Sequence, residues 1–205
     1  MGYIMLHGMG QNASSWDKTI SFLPKGTETV CPELSSFFGG EKCDYVRMYA
    51  NFCSYCNEFS GQLDLCGLSL GAVLALNYTV DFPQKVKSLI LIAPQFDMPK
   101  LLLKFQNVIF KLMPESAFKD MGMSKNELIT LTNSMADIDL SDRLDRLGCP
   151  ILIICGEKDK ANKKAANKLV KAVSGAVYKE IKGSGHEVNM DNPQGLAKVI
   201  SDWNT

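Results

Sequence analysis

Gly67-Leu68-Ser69-Leu70-Gly71 stands between the apolar run Leu63-Asp64-Leu65-Cys66 and a second one, Ala72-Val73-Leu74-Ala75-Leu76. A Gly-x-Ser-x-Gly between a strand-like and a helix-like segment is the sequence form of a nucleophile elbow. The chain turns so sharply there that the serine must hold a strained backbone conformation. Glycines two residues to either side remove side chains that would collide where strand and helix cross. The pattern predicts a hydroxyl at Ser69 held clear of the fold and able to attack a carbonyl. The pentapeptide is short, however. With glycine and serine each near ~7% of residues, chance supplies one in roughly one chain in ten to twenty of this length. The reading therefore turns on whether the chain also supplies the partners of such a serine.

A serine hydroxyl is a poor nucleophile until a general base takes its proton, and that base needs a carboxylate to orient it. The chain has 2 histidines. His186, in Gly183-Ser184-Gly185-His186-Glu187, follows the last strand-like run. Ligand sites of open α/β sheets lie at such C-terminal strand ends, and the flanking glycines permit a tight loop. A capping histidine on a surface loop is the plain alternative. Asp159, in Cys155-Gly156-Glu157-Lys158-Asp159, follows the Ile151–Cys155 run directly. Glu157 competes locally and Asp97 is a second candidate. Asp159 is preferred because Gly156 and the two residues after it supply a turn that aims position 159 inward. The order Ser69, Asp159, His186 differs from that of other triad folds. His7-Gly8-Met9-Gly10 follows the first apolar run, where a loop can present a backbone N–H to a developing oxyanion. The expected donors are the amides of Met9 and Leu70, with His7 holding the loop through hydrogen bonds and Trp16 anchoring the first helix by packing.

Around these residues apolar runs alternate with helix-like segments, the signature of a mainly parallel sheet covered on both faces. Strands are expected at about 2–7, 28–32, 63–67, 87–93, 150–156 and 176–181, and helices at about 14–23, 43–59, 70–82, 160–173 and 193–203. Pro83 and Pro150 mark boundaries, and Asn192-Pro193 reads as an N-cap followed by proline at the first helical position. The alternation breaks from about Gln95 to Asp142. That stretch holds Met98, Met113, Met121, Met123 and Met135 of the 10 methionines, with Leu101, Leu102, Leu103, Phe105 and Phe110 on a helix-like run over Lys100–Met113. Methionine suits surfaces that adapt to varied apolar partners. The segment reads either as a helical cap over an apolar pocket or as simple packing against the main domain.

The 205 residues suit one domain with a small insertion, 1–205 with the cap at about 95–142. Lys plus Arg and Asp plus Glu number 22 each, so formal net charge is zero. That balance gives no reason to expect nucleic acid or an anionic membrane as partner. No apolar run approaches the ~20 residues that span a bilayer. The start, Met1-Gly2-Tyr3-Ile4-Met5-Leu6, reads as a strand and not as a signal peptide, and Leu6 argues against myristoylation of Gly2. Seven cysteines without a secretion signal point to reduced thiols and a cytoplasmic protein. Cys53-Ser54-Tyr55-Cys56 has no second pair and no nearby histidine, so it does not make a zinc site. Two helical cysteines on one face fit it better than a redox pair. No metal and no organic cofactor is expected.

With these four motifs in this order the chain resembles the α/β-hydrolase superfamily, in its single-domain serine esterase and lipase-like branch. The resemblance runs from His7-Gly8-Met9-Gly10 through Gly67–Gly71 and Gly156–Asp159 to Gly185-His186, nearly the whole chain. It implies an α/β-hydrolase fold with about six mainly parallel strands. It also implies Ser69 as nucleophile, His186 as base and then acid, Asp159 as orienter, an oxyanion hole at Met9 and Leu70, and a cap after the strand ending at Ala93. Members of the superfamily usually carry a hairpin before the His-Gly strand, and here the chain begins on that strand. An uncovered sheet edge is the expected consequence, and with it a possible homodimer. The expected activity is cleavage of carboxylic esters with an apolar acyl or alcohol group through an acyl-enzyme. The same constellation serves thioesterases, amidases, carbon–carbon hydrolases and perhydrolases. A hydrolase-like sensor of a small apolar ligand is the alternative from another class.

Overall fold

Runs too apolar for burial on one side only become strands buried on both faces. A computed structural model describes residues 2–38, 43–98, 100–118 and 123–203. Its sheet contains β1 (Tyr3–Leu6), β2 (Thr29–Val30), β3 (Leu63–Leu68), β4 (Val86–Ile92), β5 (Ile151–Gly156) and β6 (Val177–Ile181). The spatial order is β2-β1-β3-β4-β5-β6 and every neighbouring pair is parallel. Alternate residues take opposite sides, as a period of two requires. Ile4, Leu6, Leu65, Leu89, Leu91 and Ile153 enter one apolar core. Met5, Cys66, Leu68, Ile90, Ile92 and Ile154 enter the other.

The first core also takes in residues of α2 (Tyr45–Asn57), α3 (Leu70–Asp81) and α6 (Lys160–Ala172). The second takes in Trp16, next to α1 (Asp17–Ser21), along with Val188 of α7 (Val188–Asp191) and Leu196, Ala197 and Ile200 of α8 (Pro193–Trp203). Every residue of α3 from Leu70 to Val80 is buried, so this helix is enclosed all round rather than along one stripe. Asn192 Oδ1 accepts from Gly195 N at 2.9 Å, which makes it the cap expected before Pro193.

Several boundaries differ from the sequence reading for local reasons. The expected helix at 14–23 divides into a 3-10 turn over Ala13–Trp16 and the five-residue α1. There Ser14 and Ser15 hydroxyls bond back to Asn12, competing with regular helical bonding. The expected strand at 28–32 shrinks to two residues, because Pro32 has no N–H to extend a ladder. α7 is an additional short helix. β1 is flanked on both sides, so the free edge beside it belongs to β2, whose Val30 is exposed.

Between β4 and β5 lie α4 (Lys100–Leu112), a 3-10 turn over Glu115–Phe118 and α5 (Lys125–Ser134). The segment leaves and returns side by side. Asp97 and Asp139 form an antiparallel bridge, with Met98 N donating to Ile138 O at 3.0 Å and Leu140 N to Phe96 O at 2.7 Å. Ser124 and Glu127 form a capping box on α5. Lys125 Nζ closes the end of α4 by donating to the carbonyls of Lys111 and Met113 at 2.7 and 2.8 Å. Met121 and the side chains of Leu101, Leu102 and Phe105 lie outside the described residues.

Candidate active site

The turn from β3 into α3 puts Ser69 at φ 53°, ψ −110°, a left-handed conformation that a non-glycine residue holds only under constraint. Its amide donates to Ile92 O at 2.9 Å and its carbonyl accepts from Val73 N at 3.0 Å, so the strained residue is fixed from both sides. The glycines are there for space. A Cβ on Gly67 would lie 2.3 Å from Gly71 O, and one on Gly71 would lie 2.3 Å from Leu6 O. Strand, helix and β1 thus meet backbone to backbone at the serine.

Two loops beyond β5 and β6 bring Asp159 and His186 together. They touch at Gly156, where a Cβ would fall 1.9 Å from Gly185 O, and Lys158 N donates to Ser184 O at 2.8 Å. Asp159 is 6% exposed, and its Oδ2 lies 2.8 Å from His186 Nδ1. Burial alone would raise the Asp159 carboxyl. Hydrogen bonds from His186 and from the side chain and amide of Asn162 outweigh it and hold the group below its ordinary value. An ionised carboxylate at this distance requires a proton on Nδ1, so the neutral tautomer of this imidazole carries its lone pair on Nε2. The competitors sit elsewhere: Glu157 is exposed and accepts from Gly183 N at 2.8 Å, and Asp97 is exposed on the bridge to Asp139.

The loop after β1 is ordered by its own side chains. His7 Nδ1 donates to Gly8 O at 2.9 Å and its Nε2 accepts from Leu34 N at 3.1 Å, so both ring nitrogens are used by backbone. Burial holds His7 below the usual imidazole range against the opposing pull of the Gly8 carbonyl and Glu33. Gly8 N donates to Gln11 Oε1 at 3.2 Å. Gln11 and Asn189 then pair through both side-chain amides at 3.2 Å, joining this loop to α7 just beyond His186. Leu70 opens α3, so its N–H has no acceptor within the helix.

Ser69, His186, Met9 and Leu70 line one cavity of about 160 Å³. Asp159 stands behind His186. Val73, Met98, Leu103 and Met135 complete the apolar wall, and Gln95 and Asn162 the polar one. Among the described residues the Ser69 hydroxyl makes no hydrogen bond to His186. Such contacts are often long without substrate and tighten when it binds. Gln95 and Asn162 were not singled out by sequence reasoning. Asn162 lies three residues after Asp159 at a helix start, where a side chain turns back towards the cap, and that spacing was the available signal.

A larger open groove of about 760 Å³, lined in part by Asp64, Lys87 and Trp203, lies at the opposite, N-terminal strand ends. Its one serine, Ser88, donates to the Asp64 carboxylate at 2.6 Å, and no histidine lines it. Cys53 and Cys56 are free thiols on α2, both pushed up by burial, away from the thiolate form that attack requires. Among the described residues no group of three His, Cys, Asp or Glu could hold a metal ion, and no helix is long and apolar enough to cross a membrane.

Comparison with known proteins agrees with this architecture. Monoacylglycerol lipase abhd6-A of Xenopus laevis is 23% identical over 98% of this chain and 74% of its own length. A thermophilic esterase from Thermogutta terrifontis superimposes with a TM-score of 0.79 at 18% identity, covering 100% of this chain and 89% of its own. The enol-lactonase from Burkholderia xenovorans LB400 does so with a TM-score of 0.82 at 14% identity, over 99% and 91%. Residues 3–199 match the model of the alpha/beta hydrolase family, and the chain belongs to that family.

Proposed function

We propose that the protein is a serine hydrolase that cleaves carboxylic esters carrying a small apolar acyl group. The observation that carries this reading is the convergence of four elements on one cavity. They are a serine held in a left-handed elbow, an imidazole 2.8 Å from a buried carboxylate, and Met9 and Leu70, whose amides we assign as the oxyanion donors. In this reading Ser69 Oγ attacks the ester carbonyl carbon while its proton passes to His186 Nε2. The oxyanion accepts hydrogen bonds from the Met9 and Leu70 amides. The bond to the alcohol oxygen breaks as His186 returns the proton to it, leaving an acyl-Ser69. Water, deprotonated by His186, then attacks the acyl carbon, and the carboxylic acid leaves as Ser69 regains its proton.

The segment between β4 and β5 serves as a cap over this site, with Met98, Leu103 and Met135 as its apolar face. The volume argues for a short acyl chain. An engineered cavity of about 150 Å³ holds one benzene, so a space of about 160 Å³ suits a group of similar size. The monoacylglycerol lipase and esterase relatives act on the same bond type their names give, which supports the ester assignment.

A fluorophosphonate probe tests the nucleophile: wild type is labelled and Ser69→Ala is not, with both folded by circular dichroism. Absence of label on folded wild type overturns the enzyme reading. Asp159→Asn should lower kcat by about 10⁴-fold, as loss of the orienting carboxylate does in other triads. Nitrophenyl esters graded by acyl length should give kcat/KM highest for chains of about four to six carbons, falling for longer ones. A flat profile would refute the size limit.

A further inference from the structure

Asn162 stands where two lines of hydrogen bonds cross. Its Oδ1 accepts from Gln95 Nε2 at 2.7 Å. Its Nδ2 lies 3.0 and 2.9 Å from the two carboxylate oxygens of Asp159. The same nitrogen is 3.0 Å from His186 Nδ1, so the amide abuts the acid and the imidazole together. With Nδ1 protonated towards Asp159, that last contact is between two donors, and the two carboxylate oxygens share one Asn162 N–H.

The direction of the chain is set at Gln95. Its amide donates to Asn162 Oδ1, which satisfies that oxygen in the rotamer that turns the nitrogen on the acceptor-only Asp159 carboxylate. Gln95 follows β4 at the point where the helical segment departs, whereas Asp159 and Asn162 belong to the β5–α6 turn. His186 is exposed enough to need such support: its side chain is 42% accessible, against 5% for Asp159. The titratable groups around it are Asp159 across the contact, Glu187 next in sequence, and Asp191, which accepts from Gly185 N at 2.6 Å.

We infer that Asn162 is a positioning residue for the proposed acid–base pair, and that Gln95 fixes the orientation in which it works. The relay holds the Asp159 carboxylate in the plane that directs His186 at Ser69 and ties that geometry to the root of the cap. This inference rests on the proposed roles of Asp159 and His186.

The test is steady-state hydrolysis of nitrophenyl butyrate by Asn162→Leu, Gln95→Met and the double variant. Asn162→Leu keeps the backbone N–H that caps onto Asp159 and removes the side-chain donors. It should lose about 10- to 100-fold in kcat, the usual effect of removing an outer-shell orienting group, with KM within about twofold. Gln95→Met should lose about two- to tenfold in kcat, the worth of one hydrogen bond. In the Asn162→Leu background the Gln95→Met change should have no further effect, because the amide it orients is gone. Unchanged kcat in Asn162→Leu, a loss confined to KM, or fully additive losses would each overturn the relay. Should Asn162→Leu fail to fold, Gln95→Met alone decides it, through kcat reduced or unchanged. His186→Ala and Ser69→Ala separate this from the parent reading. If those variants stay active, the triad assignment fails. If they are inactive while Asn162→Leu keeps full kcat, the relay alone fails.

Discussion

His7 shows how much one side chain can do without touching the chemistry. Its two ring nitrogens serve Gly8 O and Leu34 N only when the ring is neutral, because a protonated Nε2 cannot accept from Leu34 N. Burial lowers its affinity for protons in the folded state, while the unfolded chain titrates near about 6.5. Stability is therefore fully present above that value and falls as pH drops below it, since the unfolded state takes up the extra proton. Thermal melts between pH 8 and about 5 should show this slope, and His7→Leu should flatten it. The same variant should cost about 1–3 kcal/mol at neutral pH by leaving Leu34 N without its acceptor. An unchanged slope in His7→Leu would place the titration elsewhere. That His7 holds its loop through hydrogen bonds was legible in the sequence, because chain order made it the wrong histidine for the proposed triad. The partner Leu34 was not legible, because the contact joins residues 27 apart through a loop with no pattern of its own.

The strands and the elbow were the legible elements. Long apolar runs such as Leu89–Ala93 have one place to go in a folded chain, so their burial on both faces follows from composition. Turn contacts are different in kind. Nothing in the letters of Gly156 tells that its hydrogen faces Gly185 O, which would be 1.9 Å from a Cβ. Gly156→Ala should displace the loop carrying His186 and reduce kcat by at least about tenfold. Its thermal cost should be smaller than that of Gly71→Ala, whose Cβ would strike the backbone of β1, a strand paired on both sides. Parallel melts and kcat values for the two variants check the contrast, and equal effects on both measures would sink it. The shortening of β2 was foreshadowed by Pro32. The division of the 14–23 segment depended on serine side chains, which sequence pattern ranks poorly.

Across the molecule, the proposed site is assembled from four loops that lie far apart in sequence, and its coherence depends on how they are joined. Gln11 and Asn189 are buried and satisfy each other, so the loop after β1 and the helix after His186 cannot move separately without orphaning an amide. Asn189→Ala should lower stability by about 1–3 kcal/mol and also reduce kcat, through the loop that presents Met9. Chemical denaturation paired with kinetics tests both. A stability loss with unaltered kcat would show that the loops are independent. Such pairings escape sequence reading, because Gln11 and Asn189 look like any two polar residues 178 positions apart. The segment from Gln95 to Asp142 was visible as an interruption in composition. Its seam was not visible, since the Asp97–Asp139 bridge unites backbone groups and leaves no mark on residue type.

If Ser69 is the nucleophile proposed above, its left-handed conformation sets function against durability. Holding a non-glycine residue there costs about 1–3 kcal/mol. Glycine would remove that strain while adding only about 0.4–1 kcal/mol of unfolded-state freedom. Ser69→Gly should therefore outlast the wild type in a thermal challenge while cleaving nothing. On the proposed role, the serine is kept at the expense of persistence, and the strain it holds is the cost of turnover.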